Sequence, residues 1–260
     1  MRAVRAAFVD ECTRLTEVLG TLDRAALGRP TACRPWTVAQ LLAHVRTGAG
    51  RLAGMLAVPA PAVVPAPAVV PAPAVVPAPA VVPAPAVVPA PAVVPAPAVG
   101  LVDAAGYFGA AKFTAEVDAA RVEDGRREAA RVHDSGRATT EGFERAWRST
   151  DTALDAVPPD RVVRTRHGDA MTVAEFLRTR VVEVAVHGLD LAAALERPPW
   201  LTPGAARVVV DLLTGGRPVP AELDGDDVAL VQALTGRAEL TPAARAARSR
   251  AAFPPLFFAP

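Results

Sequence analysis

Apolar residues recur every three or four positions in four segments of the chain, which is the spacing of an amphipathic α-helix. The pattern predicts a first helix over residues 2–25 and a second over residues 38–56. Residues 103–156 alternate charged and apolar positions and predict one short and one long helix. Residues 171–195 predict a further helix. Four helices joined by a crossover predict a mainly α fold, a four-helix bundle.

Two threonines mark the starts of the best-defined helices. Thr37 is followed three residues later by Gln40, and Thr172 is followed in the same way by Glu175. Such a pair is a capping box, in which each side chain binds a free backbone N–H at the start of the helix. The two boxes therefore predict where these helices begin. The stretch RVVRTRHGDA, which precedes the second box, predicts an extended connection.

The end of the chain predicts a separate, smaller element. We assign residues 1–200 to the bundle and residues 201–260 to a small helical extension. Helical spacing within that extension predicts helices at about 203–214 and 225–235. The apolar sequence FPPLFFAP follows them.

A tandem repeat of the unit PAPAVV interrupts the bundle at residues 59–99. Proline at every second or fourth position removes the N–H donors that a helix or a central strand needs, so polyproline II or disorder is expected. The segment is apolar, but the same prolines argue against a membrane span. We interpret the repeat as an expansion tolerated in a surface loop. A spacer, or a ligand for a proline-recognising module, is the functional alternative.

Composition narrows the classes of function. The net charge of +1 gives no electrostatic case for a nucleic-acid partner. Cys12 and Cys33 are too few for a disulfide scaffold and fit a reducing cytoplasm. The first residues, MRAVRAAFVDECTRL, reach acidic positions before any long apolar run and do not resemble a signal peptide. We therefore expect a cytoplasmic protein.

Three polar residues fall on apolar helix faces. His44 lies seven residues after Thr37, and Glu183 and His187 lie eleven and fifteen residues after Thr172. These steps are close to whole numbers of 3.6-residue turns, so the three side chains share one stripe relative to their caps. Two imidazoles and a carboxylate that converge between helices match a catalytic-type zinc site. Nickel, iron(II) and manganese accept similar ligands.

The spacing alone leaves a second interpretation open. Arg180 and Glu183 could form a salt bridge while His44 and His187 are hydrogen-bonded core histidines. Arg180 and Asp190, each three residues from a candidate ligand on the same helix, could instead support the metal ligands.

Other polar and aromatic residues have weaker patterns. Cys33 could be a reactive thiol or an extra ligand, although a buried apolar role is the commoner one. His167 could enter the pocket or lie in a solvated loop, and Asp169 could pair with a ligand histidine. Trp36 and Trp147 are interpreted as core residues.

Two motifs carry a resemblance to a known family. The sequences CRPWTVAQLLAH, which ends at His44, and RVVEVAVHGLDL, which begins at Arg180, resemble the mycothiol-dependent maleylpyruvate isomerase family, within the wider DinB-like metal-binding bundles. The resemblance covers roughly residues 1–200 apart from the repeat. It implies that His44, Glu183 and His187 bind a divalent metal, with zinc as the first expectation. It also implies mycothiol as a cofactor that reaches the open metal position, with Arg180 as a cofactor-binding residue.

The resemblance further implies an enzyme. The expected activity is a metal- and mycothiol-dependent isomerase or thiol transferase that acts on a small electrophilic, maleylpyruvate-like substrate. Arg34, Arg46 or Arg180 could hold a substrate carboxylate. The expected partners are a small molecule and, at most, a second copy of the chain, with neither nucleic acid nor membrane. The alternative is a non-catalytic metal-binding bundle with a regulatory or partner-binding role.

Overall fold

The structure is a computed structural model that describes residues 1–61, 100–109, 114–131, 136–223, 225–256 and 258. Most of the PAPAVV repeat, residues 62–99, lies outside these ranges, so its conformation stays a prediction. The predicted mainly α fold is confirmed. The elements in chain order are α1 (Arg2–Leu19), α2 (Arg24–Leu27), α3 (Val38–Leu56), α4 (Ala104–Tyr107), α5 (Ala115–Arg131), α6 (Gly136–Ala153), β1 (Val162–Arg164), β2 (Ala170–Thr172), α7 (Val173–Ala194), α8 (Pro203–Thr214), α9 (Asp227–Leu234) and α10 (Pro242–Arg250), with 3₁₀ turns at Leu154–Ala156 and Ala221–Leu223.

Four long helices form the bundle. α3 packs against α6 and α7, and α1 packs against the same two helices, so the four close around one core. Large side chains from each helix are fully buried there, among them Phe8, Leu41, Phe143 and Phe176. α5 covers the outer side of α3. The seam between α3 and α7 is where the predicted polar residues meet.

The start of α3 agrees with the sequence prediction. The backbone N–H of Gln40 donates to Thr37 Oγ1 at 3.4 Å, and the backbone N–H of Thr37 donates to Gln40 Oε1 at 3.0 Å, so both halves of the capping box are present. The helix runs from Val38 to Leu56, as predicted. This cap sets the phase of α3 and therefore the direction of His44.

The start of α7 agrees only in part. Thr172 Oγ1 accepts from the backbone N–H of Glu175 at 3.2 Å, as predicted. The return half of the box is wrong, because Glu175 Oε2 instead accepts from the backbone N–H of Ala104 at 2.9 Å. Thr172 itself is paired with Val162 in the hairpin, while Ala104 begins α4 with an N–H that needs an acceptor. The extended connection is confirmed, as the antiparallel pair β1–β2.

Three helix predictions need correction. The first helix ends at Leu19, not at residue 25, because the Asp23 side chain accepts from the N–H of Ala26 and starts the short α2. Residues 103–156 hold two long helices, α5 and α6, besides the short α4. α10 was not predicted, since its sequence PAARAARSR has almost no apolar stripe. Thr241 before Pro242 was the available signal, because a threonine cap followed by proline also starts α8.

The tail predictions at about 203–214 and 225–235 correspond to α8 and α9. α8 packs against α1 and α7, and α9 packs against α8. The buried Glu11 of α1 holds the start of α8, because its Oε2 accepts from the backbone N–H and Oγ1 of Thr202 at 2.8 and 2.7 Å. The division at residue 200 stays a prediction. None of the described helices is long and apolar enough to cross a membrane.

Candidate metal centre

The α3–α7 seam brings His44, Glu183 and His187 together. Glu183 Oε2 lies 3.3 Å from His44 Nε2 and 3.6 Å from His187 Nε2. One ligand atom from each residue lies within 4.8 Å of the other two. The three side chains keep only 13–18% of their surface exposed. The ring of Trp36 packs on the ring of His44 with a centroid distance of 4.8 Å, which fixes one side of that imidazole.

These separations fit a metal ion. Bonds of about 2.0–2.1 Å at tetrahedral angles place neighbouring ligand atoms about 3.3–3.4 Å apart. The two carboxylate–imidazole distances, 3.3 and 3.6 Å, are close to that value. Two nitrogens and one oxygen also form the three-ligand set that catalytic zinc sites use, with a position left for a further ligand. The residues present therefore fit a divalent cation.

The pKa values of His44 and Glu183 differ strongly from their usual values. Burial lowers the pKa of His44 to about 4, against the opposing effect of Glu183, so this imidazole is neutral near pH 7. Burial alone would raise the pKa of Glu183, but His44, Arg180 and His187 outweigh it and hold the pKa well below its usual range. A neutral imidazole beside an ionised carboxylate is the protonation state that metal coordination requires.

A second group of side chains holds the far nitrogen of His187. His187 Nδ1 lies 2.9 Å from Asp190 Oδ2. Arg237 lies in the segment after α9, and its guanidinium donates to both oxygens of the same carboxylate, at 2.7 and 2.8 Å. The thiol of Cys33 donates to Asp190 Oδ2 at 3.1 Å. An imidazole whose Nδ1 is bound by a carboxylate presents Nε2 in a fixed direction, which is the usual support for a metal-binding histidine.

These hydrogen bonds shift the pKa values of His187 and Asp190. Burial disfavours the charged form of His187, but the hydrogen bonds to Asp190 and Cys33 outweigh it and raise its pKa to about 10. Burial would also raise the pKa of Asp190, but His187 and Arg237 lower it. Without a metal, His187 is therefore protonated and Asp190 ionised near neutral pH. A metal ion at Nε2 would replace one proton of this imidazolium.

Comparisons with known proteins identify the family of the chain. Residues 8–103 and 90–192 match the family model described as the mycothiol maleylpyruvate isomerase N-terminal domain. The chain belongs to this family. Among solved structures, a mycothiol-dependent maleylpyruvate isomerase with one histidine mutated to alanine is similar at a TM-score of 0.45 and 15% identity, over 81% of this chain and 68% of that one. No curated protein sequence matches the chain significantly.

Within this family domain, Arg180 lies beside the three candidate ligands. Its guanidinium is 3.7 Å from Glu183 Oε1 and donates to the hydroxyl of Tyr107 at 3.2 Å. The salt bridge expected under the alternative interpretation is thus present. It does not compete with the histidines, because it uses Oε1 while both histidines face Oε2. Glu183 can serve both neighbours at once.

The remaining candidate residues lie away from the three ligands or have other partners. Arg34 is exposed, and Arg46 forms an ion pair with Glu128 on α5. His167 packs at 5.4 Å from the ring of Tyr107 and so lies near Arg180, not among the three. Asp169 lies 3.5 Å from Thr165 Oγ1, and Asp190, not Asp169, binds a candidate ligand.

The tryptophans follow the core interpretation, whereas Cys33 is buried but not purely apolar, because its thiol donates to Asp190. Trp147 is buried in the core, as predicted, and Trp36 is buried as well as packed on His44. Cys33 is buried and free of any disulfide. Cys33, His187 and Asp190 also form a geometric cluster of metal-ligand atoms. Because Arg237 already binds both oxygens of that aspartate, we interpret the cluster as a hydrogen-bonding group.

Sequence reasoning missed Arg237 and Tyr107. Arg237 lies 47 residues beyond its partner Asp190, in a loop with no helical phase to predict its direction. Its available signal was a lone arginine after the short apolar helix DVALVQAL, in a chain with an unpaired aspartate on a buried face. Tyr107 is the only tyrosine of the chain, which was a weak signal for a specific polar contact.

Proposed function

We propose that the chain is a metal- and mycothiol-dependent isomerase or thiol transferase that acts on a small electrophilic substrate. The family assignment supports the class of chemistry, since the matching model is that of mycothiol maleylpyruvate isomerases. The observation that carries the proposal is the convergence of His44, Glu183 and His187 within 4.8 Å on two helices of the bundle.

Each residue of the site has a definite task under this proposal. His44, Glu183 and His187 would hold the cation, which is zinc as first expectation. A bound divalent cation lowers the pKa of a thiol ligand so that the thiolate is present near neutral pH. Asp190, clamped by Arg237, orients His187. These contacts keep the chain's ligands in place without consuming the position at which a thiol would bind.

The surroundings of the site also suit a reactive thiolate. The aromatic ring of Trp36 packs on His44, and the three ligand side chains keep only 13–18% of their surface exposed, so water has limited access. Arg180 lies on the opposite side of Glu183 from the histidines and contributes a positive charge. A positive group at this place favours an anionic cofactor or substrate group.

Cobalt substitution tests the thiol part of the proposal. The protein would be loaded with Co²⁺, and its absorption spectrum recorded as mycothiol is added. We expect an intense thiolate-to-cobalt charge-transfer band that saturates with mycothiol, and that is absent in His44→Ala. The matched control is His167→Ala, which removes a histidine outside the three ligands and should keep the band.

Two outcomes divide the alternatives. A cobalt protein whose spectrum does not respond to mycothiol would refute the thiol function and favour the non-catalytic metal-binding bundle. If the band appears, maleylpyruvate and a simple alkylating electrophile, each offered with mycothiol, separate isomerase from transferase. Isomerisation returns free mycothiol, whereas transfer consumes it stoichiometrically.

A further inference from the structure

One face of α3 continues beyond the candidate metal centre. His44, Gly48 and Arg51 follow one another at steps of four and three residues, so they share one face of the helix. Seven residues correspond to about 10 Å along the helix axis. Arg51 therefore lies about two turns from His44 on the same face.

The facing helix has a matching stripe. Arg180, Glu183 and His187 follow one another on α7 at steps of three and four residues. The two stripes meet at Gly48, where an added Cβ would lie only 3.0 Å from Arg180 Nη1. The lack of a side chain at Gly48 thus makes room for the Arg180 guanidinium between the helices. The positive charge of Arg180 therefore lies directly next to the candidate metal centre.

Arg51 has no partner within the part of the chain that the structure describes. It is partly buried, yet its side chain forms no hydrogen bond or ion pair with any described residue. Burial lowers its pKa, and the nearby Arg180 and Arg166 lower it further, while Tyr107 and Glu183 act in the opposite direction. A partly buried arginine that faces other cations and lacks a counter-ion is costly for the fold.

Two neighbouring arginines differ from Arg51 in this respect. Arg46 lies five residues before Arg51 on α3 and is paired with Glu128. Arg180 donates through Nε to Thr179 Oγ1 at 3.1 Å and through Nη2 to the Tyr107 hydroxyl at 3.2 Å, and Nη2 lies 3.7 Å from Glu183. Its Nη1, which faces Gly48, has no hydrogen-bond partner among the residues that the structure describes. Two arginines with free donor capacity on facing helices form a ready receptor for a planar anion.

We propose that Arg51 and Arg180 together bind the carboxylate of the electrophilic substrate, on the α3–α7 seam next to the candidate metal centre. This inference rests on the proposed function for the identity of the ligand as a substrate. The single charge of a carboxylate suits the place better than a doubly charged phosphate, because Glu183 lies beside Arg180 and repels added negative charge. The site therefore selects small organic acids over their neutral esters or amides.

Direct binding tests the proposal without catalysis. Succinate, an unreactive dicarboxylate, would be titrated by calorimetry into the zinc-loaded and the metal-free protein, with neutral succinamide and inorganic phosphate as comparisons. We expect succinate to bind, and Arg51→Gln to weaken it by about tenfold or more, because a hydrogen-bonded charged group contributes at this level. The matched control is Arg14→Gln, an arginine paired with Glu17 on the surface of α1, which should bind succinate as the wild type does.

Several results would overturn the proposal. These are no binding of succinate by the wild type in either form, equal binding by Arg51→Gln, or binding of succinamide or phosphate as tight as that of succinate. Zinc content and far-UV circular dichroism of Arg51→Gln, both expected to equal the wild type, separate a lost anion site from a lost fold. A wild type that binds no zinc refutes the proposed function alone, because the titration of the metal-free protein still tests the arginine pair.

Discussion

The contact between Arg237 and Asp190 provides a sharp quantitative test of how the tail supports the candidate metal centre. The two side chains are 8% and 2% exposed, and the guanidinium binds both carboxylate oxygens. Substitution Arg237→Met keeps most of the side-chain volume but removes the charge. It leaves Asp190 buried with only Cys33 and His187 as partners.

The structure sets the size of the effect. Breaking a buried ion pair by removing one partner costs about 3–5 kcal/mol when the remaining charge is left uncompensated. Because His187 still contacts Asp190 in the variant, we expect a cost at the lower end of this range. For a chain of this size, about 1 kcal/mol shifts the melting temperature by about 2–4 °C, so we expect a decrease on the order of 10 °C. The loss of support for His187 should also weaken zinc binding by about 10- to 100-fold.

A matched control separates burial from charge. Arg250 forms an ion pair with Glu222 at 3.0 Å, but the two side chains are 66% and 43% exposed. Exposed pairs contribute under about 1 kcal/mol, so Arg250→Met should shift the melting temperature by a few degrees at most. Thermal unfolding by circular dichroism and zinc affinity by chelator competition measure both quantities. If Arg237→Met and Arg250→Met behave alike, the assigned role of Arg237 is refuted.

Two further predictions concern stability. Gly54 is exposed within α3 and an added methyl group would contact nothing within 4 Å, so Gly54→Ala should raise the free energy of unfolding by about 0.5–1 kcal/mol in urea titrations. Gly125→Ala should show no such gain, since its Cβ would lie 3.1 Å from Trp36 Nε1; an equal gain at both positions would contradict the packing described. Burial raises the pKa of Glu11 above 4.5, its value in the unfolded chain. Between pH 4.5 and the raised pKa of the folded protein, the unfolded chain ionises Glu11 more readily, so the free energy of unfolding falls as the pH rises. The wild type should therefore lose stability relative to Glu11→Gln over that interval, and a difference that is constant with pH would disprove this role.

Local signals account for what could be predicted. The caps at Thr37 and Thr172 set the phase of α3 and α7, and helical phase then determines which side chains share a face. This is why the sequence alone predicts that His44, Glu183 and His187 meet. Their role as metal ligands stays a prediction, because neither the phase nor the fold identifies an ion.

Long-range contacts account for what could not be predicted. Arg237, the partner of Asp190, lies in a loop 47 residues further along the chain. The side chain of Glu175 accepts from the start of α4, whereas the sequence predicts that it caps its own helix. Both depend on how separate segments pack, which no local pattern encodes. The space beside Gly48 that the Arg180 guanidinium occupies likewise depends on how α3 and α7 pack together.

The proposed function depends above all on one divalent cation held by His44, Glu183 and His187. The most direct measurement is the metal content per chain, by inductively coupled plasma mass spectrometry, of protein equilibrated with zinc and then desalted. We expect one zinc per chain in the wild type and in His167→Ala, and a loss of zinc in His44→Ala, Glu183→Gln and His187→Ala. Stoichiometric zinc that survives these three substitutions, or a folded wild type that takes up none, would contradict this expectation.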